Sequence, residues 1–192
     1  MQGRKTPGIS FFVTKWNTSC FPEIDYVIIC LKTSLEAVMP DTATHKTAVI
    51  MIGLQASGKS TYYQQHYAQT HAHINLDRLH TRNKERQLLL ECIEKGLPFV
   101  VDNTNPTAQD RARYILPAKQ AGYRVVGLFF RSRVTECIAR NEGRSGKAKV
   151  PAAAIAATSN RLELPHLSEG FDELYYVSMT DDGFTMERWD ED

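Results

Sequence analysis

The stretch that decides the fold of this chain runs from Gly53 to Ser60 and reads GLQASGKS. It fits the phosphate-binding loop pattern GxxxxGK[ST], in which a loop between a strand and a helix holds the phosphates of a nucleotide. The apolar run Ala48–Ile52 precedes the loop and a helix-compatible stretch follows it. The two glycines let the backbone curl, so that successive N–H groups converge on phosphate oxygens. The chain is therefore predicted to bind a nucleoside triphosphate.

The loop also predicts roles for its side chains, with ATP and Mg²⁺ as the cofactors. Lys59 is expected to reach the β- and γ-phosphates, and Ser60 is expected to ligate Mg²⁺. The N-terminus of the following helix adds a partial positive charge at the same place. The remaining predicted nucleotide-binding positions of this segment are Gly53, Gln55, Ala56, Ser57, Gly58 and Thr61.

Bulk properties bound the possibilities. A length of 192 residues allows one sizeable core, and a formal net charge of +1 produces no global field that would attract nucleic acid. Any polyanion site must then be a local patch. The four cysteines are scattered without a CxxC pair, and no apolar stretch is long enough to span a membrane. These features predict a cytoplasmic protein without structural zinc.

The chain divides into two regions on the sequence pattern. Residues 1–45 are predicted to be a poorly defined N-terminal extension, either disordered or the result of a start codon assigned too early. Residues 46–192 are predicted to form one nucleotide-binding domain. Its apolar segments alternate with helical ones, which indicates an α/β fold with a parallel central sheet and crossover helices.

The predicted strands cover residues 47–53, 73–76, 98–102, 123–130 and 174–179. The predicted helices cover residues 59–69, 78–95, 106–121, 132–142 and 151–162. Asn105 is expected to cap the third helix, with Pro106 at its first position and Gly122 just past its end. Pro117 should kink or shorten that helix. The acidic tail from Asp181 onward is expected to be a solvated end.

A phosphate-binding loop alone does not separate GTPases, motors and kinases. The guanine signature NKxD is absent, because Asn83–Arg86 lacks an aspartate at its fourth place. The chain is also short for a motor ATPase. A compact kinase is therefore the favoured interpretation, and residues 46–192 are predicted to form a three-layer α/β/α P-loop kinase domain with a small mobile lid.

Two acidic residues are candidates for chemistry. Asp77 follows the short second strand, at the sheet edge where ligands of parallel sheets bind, and could accept a proton from an attacking hydroxyl. Alternatively, Asp77 caps the helix that follows. Asp102 ends the third strand, where a Mg²⁺-organising aspartate often lies, and Asn103 and Thr104 add polar side chains beside it.

A basic segment follows the fourth strand. Arg140 and Arg144 lie four residues apart, on one helical face, and the glycines after Arg140 suit a mobile lid. Such arginines could neutralise charge on a transferred phosphoryl group, or they could simply form a solvated basic face. His71 and His73 form an HxH pair without a third ligand, and we interpret them as polar residues entering the second strand.

Together these elements resemble the kinase domain of polynucleotide kinases, which phosphorylate 5′-hydroxyl ends of DNA or RNA. The resemblance covers residues 47–177, and its most specific part is Val101–Pro106 followed by Arg111–Tyr114. The Asn75-x-Asp77 placement, the lid arginines and Ser168–Phe171 are also similar to that family.

The resemblance implies site roles. Asp77 would be the general base, Arg144 would stabilise the transferred phosphoryl group and Arg140 would hold the nucleotide. Asp102 would organise the acceptor or the metal, and Ser60 would share the metal. Asn103, Thr104 and His80 would belong to the acceptor site.

Two departures from the family pattern touch the acceptor side. Leu76 stands where the family usually has a basic residue, and His80 stands where phage-type members have an arginine for the acceptor's phosphate. The predicted function is transfer of the γ-phosphate of ATP to a hydroxyl, at the 5′ end of DNA or RNA. A nucleoside or sugar kinase, and a nucleotide-dependent switch without transfer, remain the alternatives.

Overall fold

The computed structural model describes residues 46–189, so the predicted extension over residues 1–45 lies outside the described residues. A six-stranded sheet has the strand order β2-β3-β1-β4-β5-β6. Its strands are β1 (Thr47–Ile52), β2 (Ala72–Ile74), β3 (Phe99–Asp102), β4 (Arg124–Phe130), β5 (Glu173–Thr180) and β6 (Gly183–Arg188). The first five strands pair in parallel, and β6 pairs with β5 in the antiparallel direction. The predicted α/β fold with a parallel central sheet is confirmed.

Helices connect the parallel strands. They are α1 (Lys59–His66), α2 (Leu76–Leu79), α3 (Arg82–Lys95), α4 (Ala108–Gln120), α5 (Val134–Glu142) and α6 (Ala152–Ser159), with 3₁₀ turns at Gly146–Ala148 and Leu167–Glu169. None of the helices within residues 46–189 is long and apolar enough to cross a membrane.

Alternate residues of β1 feed two cores on opposite faces of the sheet. Ile50 belongs to one core together with Leu89 of α3 and Ile115 of α4. Met51 belongs to the other core together with Tyr63 of α1. Because successive side chains of a strand point to opposite faces, this split produces the three-layer arrangement.

The strand order places the phosphate-binding loop at a topological switch point. The chain leaves β1 toward β3 and β2 on one side, and β4 lies against β1 on the other side. In open parallel sheets a crevice for ligands forms at such a point, beyond the carboxyl ends of the strands. The ends of β1, β2 and β3 all open toward this crevice.

The prediction of a single helix over residues 78–95 is wrong, because the structure has two helices, α2 and α3, in this region. Asn75 caps α2, its side chain accepting from the Arg78 N–H at 3.1 Å. His80 then adopts a left-handed φ of 65°, which ends α2. Thr81 caps α3, its hydroxyl accepting from the Lys84 N–H at 3.3 Å.

The predicted start of the helix at residue 106 is also wrong. Thr107 is the cap of α4, and its hydroxyl accepts from the Asp110 N–H at 3.1 Å. Asn105 instead has φ 46° and donates from its side chain to the Met51 carbonyl at 2.7 Å. Asn105 therefore ties the turn after β3 to the neighbouring strand β1.

The two remaining expectations for this helix had different outcomes. Pro117 lies inside α4 without ending it, because the helix continues to Gln120. Gly122 follows the C-cap residue Ala121 and has φ 76°, as predicted for a residue just past a helix end.

The acidic tail is not simply a solvated end. Residues Gly183–Arg188 form β6 and pair with β5 in register, with Val177 opposite Met186. Phe184 packs against the core that contains Tyr62 and Phe130. The apolar residues at 184 and 186 supply the cross-strand contacts that the acidic composition of the tail obscured.

Candidate active site

The phosphate-binding loop holds a backbone that only glycine tolerates at its two ends. Gly53 has φ 145° and Gly58, the N-cap residue of α1, has φ 104°. A Cβ atom at Gly58 would lie 2.5 Å from Cε of Met179. The loop is also tied to the turn after β3, because the Gly53 N–H donates to the Thr104 carbonyl at 3.0 Å.

Lys59 points into the loop that precedes it. Its ammonium donates to the Gly53 and Leu54 carbonyls at 3.0 and 2.6 Å, and to the Ser57 hydroxyl at 3.3 Å. Burial lowers the pKa of Lys59 to about 8, although the negative charge of Asp102 partly offsets this effect. A bound polyphosphate would supply the negative charge that the buried ammonium lacks.

Ser60 and Asp102, the two predicted metal-site residues, contact each other directly. The Ser60 hydroxyl donates to Asp102 Oδ2 at 2.7 Å, although the two residues are 42 positions apart. Burial raises the pKa of Asp102, but hydrogen bonds from His73 and Ser60 and the charge of Lys59 outweigh it, so the net pKa lies below its usual range. Asp102 is therefore ionised at neutral pH.

His73 takes part in this cluster, although the sequence interpretation gave it no role. Its Nε2 lies 3.0 Å from Asp102 Oδ2, and its Nδ1 lies 2.9 Å from NH1 of Arg78. A guanidinium can only donate, so Nδ1 accepts and the neutral ring donates from Nε2 to Asp102. The ring stacks on Tyr63 with centroids 3.7 Å apart, which fixes its plane.

Asp77 lies on α2 with an exposed side chain. It does not cap a helix, because Asn75 and Thr81 are the caps of α2 and α3. Within residues 46–189, the Asp77 carboxylate forms no hydrogen bond or ion pair, so both of its oxygens can accept from a ligand. The capping alternative for this residue is therefore wrong.

One cavity of about 240 Å³ brings most of the predicted site together. It is lined by residues of the phosphate-binding loop, by Asp77, by the turn after β3 and by Arg144 of the lid. Its predicted members are Gln55, Ala56, Ser57, Gly58, Lys59, Ser60, Asp77, Asp102, Asn103, Thr104 and Arg144. A base candidate, a phosphate-binding loop and a lid cation thus share one enclosure.

The two arginines of the predicted lid, Arg140 and Arg144, form different contacts. Arg140 Nε donates to the Ala56 carbonyl at 2.8 Å, where Ala56 has a left-handed φ of 61°. Arg144 lines the cavity and donates to the Ala148 carbonyl at 3.4 Å. Arg140 therefore supports the backbone of the loop, whereas Arg144 faces the space above it.

A second link joins the loop to the segment beyond the lid. The Gln55 side chain donates to the Thr158 hydroxyl of α6 at 3.0 Å. Its Oε1 is buried and has no partner within the described residues. Thr61, the last predicted residue of the segment, is exposed on α1.

The amide of Asn103 is directed toward the protein. Its Oδ1 accepts from the Leu76 N–H at 2.9 Å, and its Nδ2 donates to Glu85 Oε1 at 2.6 Å. Tyr114 also donates to Glu85 at 3.0 Å, and burial with the Glu85 charge raises the pKa of Tyr114 to about 12. Asn103 thus positions the backbone beside Asp77, and its contact with substrate stays a prediction.

His80 lies outside the main cavity. It lines a neighbouring cleft of about 600 Å³, together with Arg78 and Lys147, and Asp77 borders both spaces. The predicted acceptor role of His80 thus belongs to this outer cleft and stays a prediction.

The oxygen atoms of Ser60 and Asp102 are suitable ligands for the Mg²⁺ ion that accompanies a bound nucleotide. A hydroxyl and a carboxylate lie side by side at Ser60 and Asp102, and both are hard oxygen ligands. Residues 46–189 contain no cluster of three or more His, Cys, Asp or Glu that could hold a metal by itself. This is consistent with Mg²⁺ because the ion usually takes one or two protein ligands and completes its shell with water and phosphate.

Several contributors escaped the sequence interpretation. They are His73, which contacts Asp102, and Arg82 of α3, which lines the cavity and pairs with the buried Glu85. The spacing of Arg82 and Glu85 fits a helical ion pair, but such pairs are common on surfaces. Only the packing of α3 against β2 and α4 gives them a place beside the site.

The chain is similar in sequence to several known proteins. Residues 81–165 match a family model described as an AAA domain. The chain is 28% identical over 154 residues to a bifunctional polynucleotide phosphatase/kinase of Schizosaccharomyces pombe. It is 30% identical over 140 residues to a putative bifunctional polynucleotide phosphatase/kinase of Acanthamoeba polyphaga mimivirus. These matches cover 76% and 69% of this chain and confirm the resemblance to polynucleotide kinases.

The matched region spans only 37% and 33% of those two relatives. Among solved structures, the chain is similar to Kti12 of Chaetomium thermophilum in complex with ADP-AlF3, at 20% identity and a TM-score of 0.56 over 70% of this chain and 90% of that one. It is also similar to a gluconokinase of Sinorhizobium meliloti 1021, at 20% identity and a TM-score of 0.50 over 70% and 83%. These structures support the P-loop fold.

Proposed function

We propose that this chain transfers the γ-phosphate of ATP to the 5′-hydroxyl end of DNA or RNA. The observation that carries the proposal is the single cavity in which Asp77, the phosphate-binding loop and Arg144 face one another. The similarity to two polynucleotide phosphatase/kinases supports the nucleic-acid acceptor.

In this proposal the donor side is formed by the loop and the lid. Backbone N–H groups of the loop and the N-terminus of α1 bind the β-phosphate, and Lys59 exchanges its internal carbonyl contacts for phosphate oxygens. Arg144 neutralises charge that develops on the transferred group. Ser60 and Asp102 would hold Mg²⁺, which would supply positive charge beside the transferring phosphate when bound.

Asp77 acts on the acceptor. Its carboxylate, which has no partner within residues 46–189, accepts the proton of the attacking hydroxyl as that oxygen bonds to the γ-phosphorus. The bond from the γ-phosphorus to the bridging oxygen of ADP breaks in the same displacement. The hydrogen bond from the Leu76 N–H to Asn103 fixes the helix turn on which Asp77 stands.

A small-molecule kinase is the second candidate, and one observation favours it. Leu76, beside Asp77 in the cavity, is apolar where the polynucleotide kinases that the sequence resembles usually carry a basic residue. A neutral nucleoside or sugar could bind next to the apolar Leu76 side chain without needing a cation at that position. The gluconokinase similarity adds no weight, since at 20% identity it supports the fold alone.

The test combines one variant with a panel of acceptors. The protein is incubated with γ-labelled ATP, Mg²⁺ and 5′-hydroxyl DNA, 5′-hydroxyl RNA, nucleosides or sugars. We expect label on the nucleic-acid ends, and label on the small alcohols alone would refute the proposal. Hydrolysis of ATP without any transfer would favour a nucleotide-dependent switch.

Asp77→Ala should lower transfer by roughly 10²- to 10⁴-fold, because a general base contributes about that factor. ATP binding should stay within about twofold, since Asp77 faces the acceptor. The matched control is Glu94→Gln, which removes an exposed carboxylate of α3 that does not line the cavity. If Asp77→Ala retained most of the activity, the base assignment would be wrong.

A cytoplasmic location belongs to the same proposal. Cys92 and Cys137 are buried free thiols, a state that fits a reducing compartment. Redox-state labelling of the two thiols in cells would test this placement, and a disulfide at either position would contradict it.

A further inference from the structure

The active-site cavity contains a cation that neither the phosphate-binding loop nor the lid supplies. Arg82, the first residue of α3, lines the cavity together with Asp77 and Lys59. Its side chain is 53% exposed, so a ligand can reach it. The partial positive charge at the N-terminus of α3 adds to that of the side chain.

The guanidinium of Arg82 is anchored at one end. Its NH1 donates to Glu85 Oε2 at 2.8 Å and to the Tyr114 hydroxyl at 3.1 Å. Glu85 is only 4% exposed and also accepts from Asn103 and Tyr114. A flexible arginine is thereby fixed to the buried part of the domain before any ligand arrives.

Anchoring leaves a free edge for recognition. A guanidinium carries five N–H donors in one plane, and the two contacts above use only NH1. Within residues 46–189, Nε and NH2 of Arg82 form no hydrogen bond. A pair of parallel N–H groups on a fixed plane is the arrangement that binds a phosphate by two hydrogen bonds.

The other cations near Asp77 are less suited to an acceptor in this cavity. Arg78 donates to His73, and Lys147 lines the outer cleft. Lys59 and Arg144 face the position expected for the ATP phosphates. Arg82 is thus the cation of the main cavity that remains for the second substrate.

We propose that Arg82 is a specificity-determining residue that binds a phosphate group carried by the acceptor molecule itself. The inference rests on the proposed kinase function and narrows its acceptor to alcohols with a neighbouring phosphate. That chemistry is shared by a free nucleoside 3′-phosphate and by the first phosphodiester of a 5′-hydroxyl strand. A neutral nucleoside or sugar lacks it.

Equilibrium binding tests the inference without turnover. Thymidine 3′-monophosphate and thymidine are titrated calorimetrically into the protein saturated with a non-hydrolysable ATP analogue. Arg82→Gln should weaken the 3′-monophosphate roughly 10- to 100-fold, the range for a hydrogen-bonded charge, and leave thymidine unchanged. Arg82→Lys should fall between, because a lysine offers a point charge without the planar fork.

Arg86→Gln is the matched control, since Arg86 is an exposed arginine one turn along α3 and does not line the active-site cavity. It should leave both affinities within about twofold. Thermal unfolding checks that Arg82→Gln folds, and Arg82→Lys carries the test if it does not. Equal losses for both ligands, or no selective binding of the 3′-monophosphate by the wild type, would overturn the inference.

Steady-state kinetics separates this inference from the proposed function. With thymidine, thymidine 3′-monophosphate and a 5′-hydroxyl oligonucleotide as acceptors, Arg82→Gln should raise KM for the two phosphate-bearing acceptors and leave kcat and the KM for ATP within about threefold. An oligonucleotide phosphorylated equally well by wild type and Arg82→Gln keeps the function and refutes the inference. Arg82-dependent transfer to the mononucleotide alone keeps the inference and refutes the nucleic-acid end as acceptor.

Discussion

Arg111 provides the sharpest test of how this fold holds its active site. It is wholly buried and forms a bidentate ion pair with Glu169, with both N–O distances at 2.6 Å. Its NH1 also donates to the carbonyls of Asn105, Pro106 and Glu163 at 3.2 to 3.3 Å. The guanidinium thus pins the turn that follows β3 to the segment beyond α6.

Arg111→Met fills a similar volume but removes the cation that pairs with Glu169 and one donor from each of three carbonyls. Glu169 keeps the His166 N–H at 3.0 Å. The Pro106 carbonyl keeps the Glu163 N–H at 2.8 Å. Breaking a buried ion pair on one side costs about 3–5 kcal/mol. We expect the lower part of that range, because the Glu169 side chain is 12% exposed and can regain some hydration. With a urea slope of about 1–3 kcal/mol/M, the unfolding midpoint should fall by roughly 1–3 M.

Urea unfolding followed by circular dichroism measures this effect. Arg113→Gln is the control, because that arginine lies two residues along α4, is 52% exposed and contacts Asp110 at 3.4 Å. Its loss should cost less than about 1 kcal/mol. The double variant Arg111→Met/Glu169→Met should be more stable than the sum of the single losses predicts. A cost for Arg111→Met below 1 kcal/mol, or strict additivity, would refute the reasoning.

Two further predictions concern the donor side. Because the pKa of Lys59 lies at about 8 in the free protein, part of the ammonium is deprotonated between pH 8 and 9, and bound polyphosphate should raise that pKa. ATP binding should then take up protons in this range, which calorimetry in buffers of different ionisation enthalpy detects, and Lys59→Met should abolish the uptake. His73→Leu removes the donor to Asp102 and should weaken Mg²⁺-dependent ATP binding about tenfold, whereas His73→Gln, which keeps an N–H donor, should recover part of the affinity. Metal-independent affinity that falls equally in His73→Leu would show that the ring acts through folding instead.

Most of the residues that the sequence predicts for the donor side line one cavity, for a local reason. The residues from Gly53 to Ser60 are contiguous, so the geometry of a strand, a turn and a helix N-terminus brings their N–H groups together without help from distant elements. Asp77 and Asp102 line the same cavity, because the carboxyl ends of neighbouring parallel strands open at one edge of a sheet, and their roles stay predictions.

The predicted helix and strand boundaries were wrong where a short polar segment is compatible with more than one backbone conformation. His80 has a left-handed φ that divides the predicted helix into α2 and α3, although no glycine marks the break. Asn105 is a residue type that often caps helices, but its side-chain amide donates to the Met51 carbonyl instead. The acidic tail forms β6 because it pairs with β5, which supplies hydrogen bonds and apolar contacts. The acidic composition of the tail does not predict this pairing.

By itself, the sequence determined that the chain folds as an α/β domain around a nucleotide-phosphate loop, because the pattern and its flanking periodicity are local properties. Only the tertiary structure decided which other side chains lie at the predicted site. His73 reaches Asp102 across 29 residues because β2 lies beside β3. Arg82 lines the same cavity as Asp77 because its contacts with Glu85 and Tyr114 hold its guanidinium there. Such contacts depend on strand order and on buried partners, and residue spacing along the chain encodes neither.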